Sequence, residues 1–309
     1  MTDSDAADPK NDTPADNALA DFANAVNKRA GRDMFAATSV AIALLVVVGA
    51  ALIWFPWGFA IFVAAAVAGG QIEIGRALAA QRRVTISYWP VLIGSVVMIL
   101  AAYGINVYRD TNPGLFVTPS WFLAWTLGLT AIAILGVRLR GPLEGYVADV
   151  TSSLFLLVYP CLLIAALMYM LAGEQGSAKV AMFILAVAAS DTGGHLVGVM
   201  FGKHRFAPRI SPKKSWEGVV GSVGLSAVAG IVLTIWWLGQ AWWKGAVLAV
   251  VIVVFGILGD LVESVIKRDL GIKDMGTLLP GHGGVMDRVD SYVIAALPAW
   301  LTMLWLFQA

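Results

Sequence analysis

Apolar runs of roughly 18 to 25 residues, each long enough to cross a ~30 Å hydrocarbon core, recur along this chain and restrict what it can fold into. Hydrocarbon offers no hydrogen-bond partners, so such runs must satisfy their backbone internally, as helices. About nine runs can be drawn, at about 34–54, 56–75, 85–106, 118–137, 150–172, 178–202, 217–238, 244–266 and 290–308. The sequence Phe55-Pro56-Trp57-Gly58 divides the first two, and Pro113 and Pro119 bracket the start of the fourth. Only 13% of the 309 residues are charged, against about 25% in soluble domains. The expected fold is all-α, a polytopic transmembrane helical bundle with about nine spans. The single Cys161 lies inside an apolar run, which excludes an intramolecular disulfide and suggests a packing role.

The cations orient the bundle. With the amino terminus in the cytoplasm, the outer segments hold only Arg109, Lys179 and Lys244 of the chain's 21 Lys and Arg residues, as the positive-inside rule requires. Trp121, Trp236, Trp242 and Trp305 then fall near outer ends, as an aromatic belt would. Residues 1–33 are acidic, then basic, and poor in large apolar side chains, which predicts a disordered cytoplasmic tail without a signal-peptide pattern. The remainder divides into amino-terminal transmembrane helices over 34–172 and a catalytic transmembrane region over 173–309. In this arrangement the loops 203–216 and 267–289 emerge on the same, cytoplasmic side and can build one site.

Charge is concentrated late. The segment from Ser264 to Asp290 packs acids, cations, one His and a Gly281-His282-Gly283-Gly284 turn between two apolar runs. On a helix, Asp260, Ser264, Lys267 and Arg268 share one face, a stripe suited to a metal bound to a phosphorylated ligand. Asp260 lies inside an apolar run, where a charge is costly and usually functional. Glu263 reads instead as the structural partner of Lys267. Glycines let backbone N–H groups approach an anion. Asp287 and Asp290, three apart, share a helix face or cap a helix, and with Asp260 they form an oxygen-ligand set of the kind Mg²⁺ prefers. Ser211-Pro212-Lys213-Lys214-Ser215-Trp216-Glu217 offers hydroxyls, ammonium groups and a helix start to phosphate, or equally a cytoplasmic anchor with Ser215 as N-cap. Asp191, deep in the sixth run and one turn from His195, is expected to face a polar cavity. Glu73 and Arg76, near the inner end of the second run, read as structural.

Walker-A, nucleophile-elbow, zinc-protease and cysteine-cluster patterns are all absent. Two classes remain: a membrane enzyme of metal-assisted phosphoryl or nucleotidyl chemistry, or a transporter with an acidic site. Charge gathered late and on one side, without a clear repeat, favours the enzyme.

These residues carry a resemblance. Ser264, Lys267-Arg268, Lys273-Asp274, Gly276, Pro280, His282-Gly283-Gly284 and Asp287-Arg288-x-Asp290, flanked by Gly259-Asp260-Leu261-x-Glu263-Ser264 and the 211–218 segment, resemble the signature of phosphatidate cytidylyltransferases, the CDP-diacylglycerol synthases, of bacterial type. One departure is Gly194-His195, where that family usually has Ala-Tyr. The resemblance implies transfer of CMP from CTP to phosphatidic acid, releasing pyrophosphate, at the cytoplasmic face of a bacterial plasma membrane. It implies Mg²⁺, with room for a second metal ion, held by Asp260, Asp287 and Asp290. Catalysis would rest on Asp260, Asp287, Lys267 and Arg268. Substrates would be bound by Ser211, Lys213, Lys214, Ser215, Glu217, Ser264, Lys273, Asp274, His282, Gly283, Gly284, Arg288 and Asp191. The partners expected are CTP, phosphatidic acid and the lipid bilayer, with no nucleic acid, and a homodimer is allowed.

Overall fold

A computed structural model describes residues 48–111, 118–276 and 283–307. The chain divides into two compact units, Met1–Trp54 and Phe55–Ala309. Of the first unit, residues 48–54 are described and are helical. The expected tail and most of the first apolar run therefore lie outside the described residues.

The second unit is built from helices. α1 spans Pro56–Arg82, α2 Tyr88–Thr111 and α3 Pro119–Arg138. α4 (Tyr146–Leu156) passes through a π-helical segment (Leu157–Leu162) into α5 (Leu163–Ala172), and the three make one span. α6 runs over Gly176–Phe201, α7 over Trp216–Leu238, α8 over Trp242–Asp269 and α9 over Met286–Leu306. Eight spans among the described residues are long and apolar enough to cross a membrane. They correspond to the second through ninth expected runs.

Local chemistry sets the helix ends. Pro56 opens α1 at the first position, where its missing N–H costs nothing, and α3 starts at Pro119 with the Thr118 side chain accepting from the Trp121 N–H at 3.3 Å. Ser215 caps α7 by accepting from the Gly218 N–H. The π segment contains Pro160, whose ring and missing N–H interrupt an α-helical ladder and are accommodated by a wider turn.

Backbones approach closely where helices carry glycine. A Cβ at Gly193 of α6 would stand 2.3 Å from the Gly221 carbonyl oxygen of α7, and one at Gly221 would stand 2.5 Å from the Gly193 oxygen. Gly230 of α7 and Gly245 of α8 repeat the arrangement, and a Cβ at Gly259 of α8 would meet the Asp290 carbonyl of α9. Lipid provides no hydrophobic force between helices, so close packing of small residues and hydrogen bonds does this work. Ser222 and Ser226 of α7 donate to the carbonyls of Ser190 (2.8 Å) and Ala186 (3.0 Å) on α6. Cys161 is fully buried, its thiol 3.8 Å from the Ser95 carbonyl and from Met98 Sδ, consistent with packing.

Large apolar side chains cover the outside. Trp121, Trp236, Trp242 and Trp305 are all exposed and sit at the ends of α3, α7, α8 and α9. Such a surface suits lipid.

Candidate active site

At one end of the bundle, α6, α7, α8, α9 and the connection 202–215 enclose a cavity of about 400 Å³. Its polar wall is mostly charged. α8 contributes Asp260, Glu263 and Lys267, α9 contributes Asp287 and Asp290, and α6 contributes Asp191 and His195. Lys214 and Phe206 come from the connection, with Ser215 and Ser222 on the α7 side.

The α8 stripe forms as its spacing requires. Asp260 Oδ1 accepts from the Ser264 hydroxyl at 3.3 Å, while Oδ2 lies 2.6 Å from Lys214 Nζ. That second contact joins the α6–α7 connection to α8, and Lys267 and Asp287 from the other expected cytoplasmic loop line the same cavity. Lys267 Nζ bridges two carboxylates, Glu263 Oε2 at 2.5 Å and Asp287 Oδ1 at 2.8 Å. The Glu263 side chain is only 1% exposed, and its i,i+4 partner Lys267 supplies the hydrogen bond that a buried carboxyl group needs. This is the structural pairing expected for Glu263.

α9 starts at Met286, four residues before the expected boundary, so Asp287 and Asp290 both lie on helix and line the cavity together. Asp287 does not cap that helix. Its Oδ2 accepts instead from the backbone N–H groups of Gly284 (2.8 Å) and Met275 (3.0 Å), tying together the two described ends of the α8–α9 connection. The helix start is capped from outside: Glu73 of α1 accepts from the N–H groups of Val285 and Met286, both at 3.0 Å.

The other expected residues take varied places. Asp191 faces the cavity, as its depth in an apolar run suggested, and makes no hydrogen bond or ion pair with His195 among the described residues. Glu217 clasps the 202–215 connection, accepting from His204 Nδ1 at 2.6 Å and from the backbone N–H groups of Lys203 and His204. The Lys213 carbonyl accepts from Arg205, and that of Ser211 from the Lys214 N–H, so both serve the fold of the same connection. Arg268, Lys273, Asp274 and Arg288 are exposed around the end of α8 and the start of α9, outside the cavity wall. Gly283 adopts a positive φ of 80°, and Gly281 and His282 lie outside the described residues.

Three contributions had no strong sequence signal. Ser222 and Ser291 are small polar residues inside apolar runs, and Phe206 stands among cations.

Among the described residues no three His, Cys, Asp or Glu side chains are grouped to hold an ion by themselves. The carboxylates facing the cavity are nevertheless all-oxygen donors, and Mg²⁺ is usually held by one or two carboxylates together with water and substrate phosphates. In kind, the residues fit an ion that binds with a polyphosphate.

The profile of the cytidylyltransferase family matches residues 35–307. A phosphatidate cytidylyltransferase of Mycobacterium bovis is 39% identical over 278 residues, covering 89% of this chain and 90% of that protein. Its namesake in Mycobacterium tuberculosis is 39% identical over 278 residues, 89% of this chain and 84% of that protein. The Mycobacterium leprae phosphatidate cytidylyltransferase is 36% identical over 315 residues and covers 97% of this chain and 98% of its own length. With a family match across nearly its whole length and relatives of this similarity, the chain belongs to the cytidylyltransferase family.

Proposed function

We propose that the protein is a phosphatidate cytidylyltransferase, joining CTP to phosphatidic acid to give CDP-diacylglycerol and pyrophosphate at the cytoplasmic face of a bacterial plasma membrane. The observation that carries this reading is the convergence of Lys214, Lys267 and four cavity-lining aspartates at the end of a lipid-facing bundle. Such a site can take a polyanion from water and a second anion attached to a lipid.

In the reaction an oxygen of the lipid phosphate attacks the α-phosphorus of CTP. The new P–O bond forms as the bond between the α-phosphorus and its bridging oxygen breaks, and pyrophosphate leaves with that electron pair. A phosphate nucleophile needs no protein nucleophile, so the protein's task is to position two anions and neutralise their charge. Lys214 and Lys267 are placed for it, since each ammonium can exchange a carboxylate partner for a phosphate oxygen. Arg268, Lys273 and Arg288, exposed beside the cavity, would draw in the triphosphate. Asp260, Asp287 and Asp290 would hold Mg²⁺, which supplies charge neutralisation on the phosphate oxygens. The Ser215 hydroxyl, which caps α7 and lines the cavity, can donate to one of the remaining oxygens.

The test is direct. Purified protein with phosphatidic acid, Mg²⁺ and CTP labelled in the α-phosphate should place label in the chloroform phase, and EDTA should abolish it. Label confined to the aqueous phase with folded protein would overturn the proposal. A lipid kinase would instead leave CDP, and a transporter would move substrate without consuming CTP.

A further inference from the structure

Glu73 belongs to α1, which contributes no residue to the cavity wall, and yet its side chain is 3% exposed and reaches the catalytic end of the chain. Oε1 accepts from the Val285 N–H and Oε2 from the Met286 N–H, across 212 and 213 positions of sequence. These N–H groups belong to the start of α9, where the N-cap Val285 offers no side-chain cap of its own. A carboxylate there also meets the positive end of the helix dipole.

The same carboxylate shapes the connection before α9. A Cβ at Gly276 would stand 2.5 Å from Glu73 Oε1, and one at Gly284 would stand 2.5 Å from Oε2. Both described ends of the α8–α9 connection therefore close around this one side chain, and only residues without a side chain fit. On the other side of the same connection, Asp287 accepts from the Met275 and Gly284 N–H groups. Two carboxylates thus grip the base of the connection, and one of them faces the cavity.

We propose that Glu73 is a positioning residue: it holds the glycine-bounded base of the α8–α9 connection and the first turn of α9, so that Asp287 and Asp290 face the CTP phosphates. This inference rests on the cytidylyltransferase reading of the cavity. Glu73→Gln keeps the size of the side chain but turns one acceptor into an NH₂ group facing a backbone N–H. In folded, detergent-purified protein, E73Q should raise KM for CTP about tenfold or more and lower kcat, with KM for phosphatidic acid little changed. Trypsin should also cut faster at the exposed Lys273 in E73Q than in the parent. Kinetic constants within about twofold of the parent, with an unchanged rate of cutting at Lys273, would overturn the proposal. Should E73Q fail to fold, Gly276→Ala, which drives a methyl group against Oε1, must give the same rise in KM for CTP, and parent-like kinetics in G276A would overturn it equally. If the parent itself transfers no CMP, the reading of the cavity falls, and the rate of cutting at Lys273 alone then decides whether Glu73 clamps the connection.

Discussion

Lys267 joins two carboxylates of the cavity, one from α8 and one from α9, through one ammonium group. Its partners are Glu263, 1% exposed, and Asp287, 10% exposed. Lys267→Met should leave the buried Glu263 carboxyl without its partner, a loss of about 1–3 kcal/mol for a buried polar group left unpaired, and should abolish turnover. Adding Glu263→Gln should restore much of the thermal stability in detergent but none of the activity, because the phosphate ligand is still missing. Equal stability of K267M and the parent would show that the pair compensates nothing. Residues of this kind were legible in sequence, since a charge beside or inside an apolar run declares its cost: Asp260, Asp191, Asp287 and the Glu263–Lys267 pair were all readable in that way. Glu73 was legible as structural but not in its role, because its partners are backbone N–H groups more than two hundred positions away. Arg268, Lys273 and Asp274 carry the same kind of charge as the residues that line the cavity. Their exposure depends on where α8 ends and how the chain turns at Gly271, which spacing alone does not give.

Among the elements, α6 and α7 approach each other closely beside the site. Gly193 and Gly221 face each other's carbonyls, and this contact sets how far Asp191 and His195 on α6 stand from α7. Gly193→Ala should force the two backbones apart, costing about 1–3 kcal/mol by overpacking. Melting temperature and CMP transfer should both fall. Gly224→Ala, on the same helix pair but with nothing within 4 Å of the added methyl, is the control and should leave both unchanged. If G193A behaves like G224A, the helices are not held by that contact. Eight of the expected runs became helices because hydropathy reports length well, while their ends moved for local reasons. α9 reaches back to Met286 through charged residues that lower the apparent hydropathy, since Glu73 caps a helix that its own sequence does not. The π segment at Leu157–Leu162 left no hydropathy trace, because a wider turn changes hydrogen-bond register without changing composition.

For the whole molecule, the decisive question is which end of the bundle meets the cytoplasm. Thr85 at the α1–α2 connection donates its N–H to Asp149 at the start of α4 at 2.7 Å, and Asp149 pairs with Arg138 at the end of α3. Arg82 at the end of α1 lies 2.6 Å from Asp269 at the end of α8. Lys214 then ties the α6–α7 connection to α8. These contacts gather four connections at one end, and most of the described basic residues lie there with the cavity, while Lys179 and Lys244 follow the turns at the other end. By the positive-inside rule, this arrangement supports the proposed cytoplasmic orientation of the cavity, the side on which CTP is present. Single cysteines at Lys203 or Lys273 should react with a membrane-impermeant maleimide only after cells are permeabilised, whereas cysteines at Glu174 or Ala241 should react in intact cells. Cys161, fully buried, should add little background. The reverse pattern would turn the cavity away from its nucleotide, and the cytidylyltransferase reading would fall with the orientation.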